Sequence, residues 1–283
     1  MLNPLIDTLI YPLYTEENKR KIASLSYILT NVSSACGILI GKFTKNDHVS
    51  ILFLCMMVLS IFSMITFSKA IKRINPSIVE NSKDVGSKKI NKTVLWFSLA
   101  TCFAFFLESR LSDLLVIFLY EKGIEEAQLR NYLAYVLLIN YVIAIFGSSF
   151  VSEKLKKYSS EQSIKLGMII LCGSYSSLFL IPNPLFSILI FIVVYTVGES
   201  VYFTNRQLYL ISLVEDRQKA ISIFSTGRTV MSLTKVCSVI LLPLAHNEFI
   251  LVLTIMSIGS VSLVLFSRLT NPVNKVDFEK KIG

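Results

Sequence analysis

Long apolar runs separated by short polar connectors decide what this chain can fold into. A helix needs about 20 mostly apolar residues to cross the hydrocarbon core of a bilayer. Eight runs in the 283 residues qualify: roughly 22–43, 50–71, 93–120, 129–151, 163–181, 184–212, 219–243 and 248–268. Residues 1–14 form a ninth apolar piece, too short to span, which reads as the end of a helix. It has neither the charged start nor the small-residue cleavage site of a signal peptide. A soluble domain carries about 25% charged residues, whereas this chain has 17%, with 53% hydrophobic residues. That composition cannot clothe a soluble surface, and it is too apolar for a disordered chain. The expectation is an all-α integral membrane protein of about eight full transmembrane helices plus a half-helix.

The net charge of +9 follows topology. Alternate connectors (15–21, 69–92, 152–165, 214–219 and the tail from 268) hold 20 Lys and Arg, and the opposite set holds four. Positive residues concentrate on the cytoplasmic side, so the linker and the C-terminus are expected there. The charge is thereby explained by lipid topology, and no nucleic-acid partner is expected. The longest connector, 72–92, contains Pro76, Gly86 and eight charges of mixed sign. It reads as a flexible linker between two bundles. The five cysteines lie in apolar runs without metal-ligand spacing, and the two histidines fall in connectors. No metal, no cofactor and no catalytic constellation is expected.

The chain also repeats itself. Glu17-Asn18-Lys19-Arg20-Lys21-Ile22-Ala23-Ser24 resembles Glu215-Asp216-Arg217-Gln218-Lys219-Ala220-Ile221-Ser222 at an offset of 198 residues. Each copy follows an apolar piece and opens a span containing small polar residues. With the same offset, the 51–70 span falls on 249–268. Two parallel halves related by an axis along the membrane normal are implied.

Four local patterns sharpen this. Thr15 to Ala23 resembles the cytoplasmic turn after the fourth helix of the major facilitator superfamily. Ser33, Gly37 and Gly41 are similar to the glycines of that family's fifth-helix antiporter pattern, with Ile38 where the pattern has proline and Lys42 at its last glycine. Glu153 and Lys154 fall on the acid and base of the family's second-half cytoplasmic loop, and Gly198-Glu199 resembles a tenth-helix efflux pattern with Thr204 at its proline. The chain thus looks like a multidrug-efflux-like member of the superfamily, N-terminally truncated, a remnant of a twelve-helix fold lacking its first three and a half helices. The resemblance implies four segments. Residues 1–71 are an incomplete N-terminal bundle (the end of helix 4, helices 5 and 6), 72–92 the linker, 93–268 a C-terminal bundle of helices 7–12, and 269–283 a cytoplasmic tail. It also implies the inner membrane of a bacterium and a monomer. Independently of any family, small residues at 33, 37 and 41 would let two helices approach closely, and 153–157 reads equally as an ordinary basic loop.

Ionisable residues at membrane depth are default candidates for function. Glu108, Arg110 and Asp113 share one run. Arg110 and Asp113, at i and i+3, can pair on one face, which casts them as structural and gating. Glu108 faces elsewhere and is the first candidate proton carrier, with Glu199 second. Lys235 lies near mid-span and needs a partner, and Arg206 is expected to snorkel to the cytoplasmic side. Asn31 and Asn140 read as helix-to-helix hydrogen bonds. Phe103, Phe105, Phe106, Tyr195, Tyr202 and Phe203 either line an apolar cavity or simply pack. The function these features imply is a secondary transporter of small molecules, with proton-coupled efflux of amphipathic compounds by alternating access and no enzymatic activity. The alternative is a non-functional membrane remnant of a truncated transporter gene.

Overall fold

A computed structural model describes residues 18–43, 92–181, 183–213, 217–241 and 248–270, together with Leu54, Met57, Val58, Ile61, Phe62 and Ile65. Residues 1–17, the rest of the expected 50–71 span, the linker before Lys92 and the tail after Thr270 lie outside the described residues. Every described element is helical. In chain order they are α1 (Lys19–Phe43), α2 (Lys92–Ala100), α3 (Cys102–Glu121), α4 (Glu126–Lys154), α5 (Ser160–Ser174), α6 (Ser177–Leu180), α7 (Pro184–Ser212), α8 (Arg217–Leu241) and α9 (Glu248–Thr270), with a short 3-10 turn Leu155–Lys157 after α4.

The start signals are local. Ser159 and Gln162 form a reciprocal capping box at the head of α5, each bond 3.2 Å long. At α7, Pro184 occupies the first turn and the Asn183 side chain accepts from the amides of Leu185 and Phe186 at 3.1 Å. Both devices satisfy amides that a helix start leaves without an intrahelical partner.

Two expected spans are not single helices. The run 93–120 breaks at Thr101, between α2 and α3. The Thr101 hydroxyl donates to the carbonyl of Phe97 at 2.9 Å, a back-bond that bends helices. The Tyr202 hydroxyl donates to the Thr101 carbonyl, also at 2.9 Å, and holds the bend against α7. Tyr202→Phe should therefore lower thermal stability by about 1 kcal/mol, the worth of one buried hydrogen bond. An unchanged melting temperature in detergent would mean that the bend stands without that bond. The run 163–181 likewise breaks, at Tyr175 and Ser176, into α5 and the four-residue α6.

The core forms around α7. Its most apolar window is 61% buried, against 17% for α1 and α4. One side of α7 meets α5, with α4 and α1 beside it, while α2, α3, α8 and α9 pack into the same assembly. Phe103, Phe106 and Tyr202 belong to this buried core. Outward faces are apolar: Phe146 and Leu180 are each 77% exposed, and Val142, Phe150, Leu185 and Phe186 are exposed too. Contiguous apolar exposure on this scale fits lipid rather than water. α1, α4, α7 and α9 each contain a stretch long and apolar enough to cross a membrane.

Candidate functional site

A polar cavity of about 260 Å³ lies between α1, α3, α4, α7 and α8. Its lining includes residues from the middle of every one of those helices. Asn31 is the central residue of α1 and Asn140 that of α4, while Glu199 and Arg228 each stand next to the centre of α7 and α8. Glu108 takes the corresponding height in the α2–α3 pair. Each helix thus spends a polar side chain at its least hospitable depth, and all five converge on one space.

The two carboxylates differ in company. Glu108 lies 3.9 Å from the Lys235 ammonium, and its other charged neighbours are Arg228 and Arg206. Lys235 thereby has the partner its mid-span position requires. Glu199 is 7% exposed, and one of its carboxylate oxygens has no hydrogen-bond partner among the described residues. Its polar neighbours are the Tyr27 hydroxyl of α1, the Asn140 amide of α4 and the Glu108 carboxylate. Thr196 donates to the Asn140 side-chain oxygen, which leaves the amide nitrogen of Asn140 for Glu199. Tyr27 reaches the same spot from the other side, and its hydroxyl accepts from Ser200 at 3.5 Å.

Arg206 does not snorkel. It lines the cavity two turns below Glu199, with its guanidinium against α8 at Gly227, where an added Cβ would come within 3.3 Å of it. Absence of a side chain at 227 makes room for the guanidinium. Asn31 and Asn140 both face the cavity; Asn140 makes the expected interhelical hydrogen bond, with Thr196 of α7, whereas Asn31 donates within α1 to the Tyr27 carbonyl at 2.8 Å. Of the six aromatics, Tyr195 and Phe203 reach the lining, and the Phe105 side chain is outside the described residues.

Other expected positions lie elsewhere. Asp113 is half-buried in α3 and does not line the cavity, and the Arg110 side chain is outside the described residues. Ser33 and Gly37 sit on an exposed face of α1, and a Cβ at Gly37 would meet nothing within 4 Å. The packed stripe of α1 runs instead through Ala23, Ser24, Tyr27 and Asn31. The surroundings of Gly41 are outside the described residues. Glu153 pairs with Lys156 at 3.2 Å in an exposed turn, and Lys154 lies over the Phe150 ring at 5.5 Å. The contact between this turn and a neighbouring helix end comes from Arg20. Its guanidinium donates to the Tyr158 carbonyl at 3.2 Å and to the Asn205 side-chain oxygen at 3.4 Å, tying the start of α1 to the turn after α4 and to α7.

Sequence reasoning missed Tyr27, Thr30 and Ser34, which line the cavity from α1. Their signal was readable: Ser26, Tyr27, Thr30, Asn31 and Ser34 recur at spacings of three and four along an otherwise apolar helix. A family model described as Major Facilitator Superfamily matches residues 1–234. No curated protein matches the chain.

Proposed function

Because the chain belongs to the major facilitator superfamily, we propose that it works as a proton-coupled secondary transporter that exports small amphipathic molecules by alternating access. Members of the superfamily are membrane transporters rather than enzymes, and the chain is a multi-pass membrane protein with a small molecule as its substrate. The observation that carries the finer reading is the convergence of five mid-helix polar residues on one cavity. Substrate and coupling-ion sites of secondary transporters lie near the bilayer midplane, where helices of two bundles meet. In this reading α1 belongs to one bundle and residues 93–268 form the other, joined by the linker 72–92. The basic connectors and the C-terminus face the cytoplasm of a bacterium, and the protein acts as a monomer.

The geometry supports the following roles in this reading. Glu108 has a resident counter-ion in Lys235, so the pair is assigned to holding α3 against α8. Among the described residues, Glu199 has donors but no cation as neighbours, which suits a carboxylate that exchanges a proton for a cationic group. Arg110 and Asp113 remain proposed as a structural pair, Ser33, Gly37 and Gly41 as a helix surface for close packing, and Glu153 and Lys154 as part of the cytoplasmic gate.

Ethidium is amphipathic and permanently charged, so its own ionisation does not change with pH. Purified protein in lipid nanodiscs should bind it, and the binding should weaken as the pH falls and a proton takes its place. Absence of binding, or binding that is the same from pH 6 to pH 8, would overturn the reading.

A further inference from the structure

The cavity is not of one sign. At the α1–α4–α7 side stands Glu199, whose neighbours are a hydroxyl, an amide and another carboxylate. At the α7–α8 side stand Arg206 and Arg228, with Lys235 nearby, and the Glu108 carboxylate lies among these three cations. Arg206 follows Glu199 by seven residues, so the two project from the same face of α7 about 10 Å apart along the axis. Beside the Arg206 guanidinium and Gly227 lies Ser98, whose buried hydroxyl has no hydrogen-bond partner among the described residues. The Tyr27 and Phe203 rings, stacked with centroids 6.4 Å apart, and Tyr195 give the wall between the two ends an apolar surface.

We propose that the cavity selects zwitterionic amphiphiles, with the ligand's ammonium group on Glu199 and its anionic group on the Arg206–Arg228 side. This rests on the transport reading above and narrows its substrate class. A plain cation would satisfy Glu199 and set its apolar end against the positively charged Arg206–Arg228 side. A plain anion would face the Glu199 carboxylate, whose unpaired oxygen is costly to bury. Only a ligand with both charges, separated by a few bonds, matches both ends at once. The ammonium takes the place of the exchangeable proton at Glu199, and the anionic group gains charge-assisted hydrogen bonds of the kind guanidinium groups favour.

Three probes share one skeleton: 6-aminohexanoate carries both charges, its methyl ester only the positive one, and its N-acetyl form only the negative one. Calorimetric titration of protein in nanodiscs should find 6-aminohexanoate bound roughly tenfold or more tightly than either relative, the size of one charged hydrogen bond. Glu199→Gln should remove its advantage over the N-acetyl form. Arg206→Gln should remove its advantage over the methyl ester, and Arg206→Lys should keep part of it, which separates a lost charge from a lost fold. A methyl ester that binds as tightly as the amino acid overturns the proposal, as does equal binding of the N-acetyl form or no heat from any of the three. Ethidium binding with its pH dependence intact would then leave the transport reading standing, whereas its loss as well would remove both.

Discussion

Glutamine in place of Glu199 is expected to leave the protein folded and to erase the pH dependence of ethidium binding. Glutamine keeps the shape of the side chain and can still meet Tyr27 and Asn140, so the packing of α7 has no reason to change. What disappears is the negative charge that a cation and a proton compete for. In the wild type, one proton displaced per cation bound gives an affinity slope of about one decade per pH unit where that proton is bound, by linkage. In Glu199→Gln that slope should fall to zero, and affinity at pH 8 should drop on the order of tenfold. Glu108→Gln should behave differently, because it takes a carboxylate away from Lys235 at 3.9 Å. It should lower thermal stability by about 1–3 kcal/mol, between the values for exposed and fully buried pairs, and retain the pH slope. If the slope survives in Glu199→Gln and vanishes in Glu108→Gln, the roles reverse and the carboxylate beside Lys235 is the one that exchanges protons.

The rank proposed here for the two glutamates, opposite to the sequence expectation, marks where the sequence stops being informative. The apolar runs announced most helices, because the bilayer's length requirement leaves a plain mark in composition. The bends at Thr101 and at Tyr175–Ser176 left no such mark: Thr101 is bent partly by a hydroxyl that arrives from Tyr202, a hundred residues later. Periodicity on α3 showed that Glu108 and Asp113 face different directions, and that much of the site was legible. What each of them meets depends on how α8 and α7 are placed, and no spacing within α3 contains that. Arg206 is the same case, since its inward reach depends on the missing side chain at Gly227, on another helix. The small-residue stripe of α1 drew attention because its spacing is regular, yet α5 and α7 approach backbone to backbone at single glycines that stand without any repeating pattern.

Alanine at those glycines should give large stability losses. A Cβ added at Gly167 of α5 would sit 2.8 Å from the Tyr202 amide nitrogen, and one at Gly198 of α7 would sit 2.9 Å from that of Leu171. The contacts are reciprocal, each glycine facing the backbone of a residue one turn from the other glycine, as two antiparallel helices in close register require. The obstacles are backbone atoms, so no side chain can rotate out of the way, and α5 and α7 must separate. Gly167→Ala and Gly198→Ala should each cost about 1–3 kcal/mol, the range for overpacked interiors. The double variant should cost less than the sum, because one separation of the helices relieves both clashes. Gly37→Ala and Gly173→Ala provide the contrast, since a Cβ at either position meets nothing within 4 Å. They should be neutral or stabilising by up to about 1 kcal/mol, as alanine restricts the unfolded chain. Gly198→Ala should also weaken ethidium binding, because Glu199 is the next residue and moves with the backbone. A melting temperature for Gly198→Ala equal to that of Gly37→Ala would show that α5 and α7 do not approach as closely as their glycines allow.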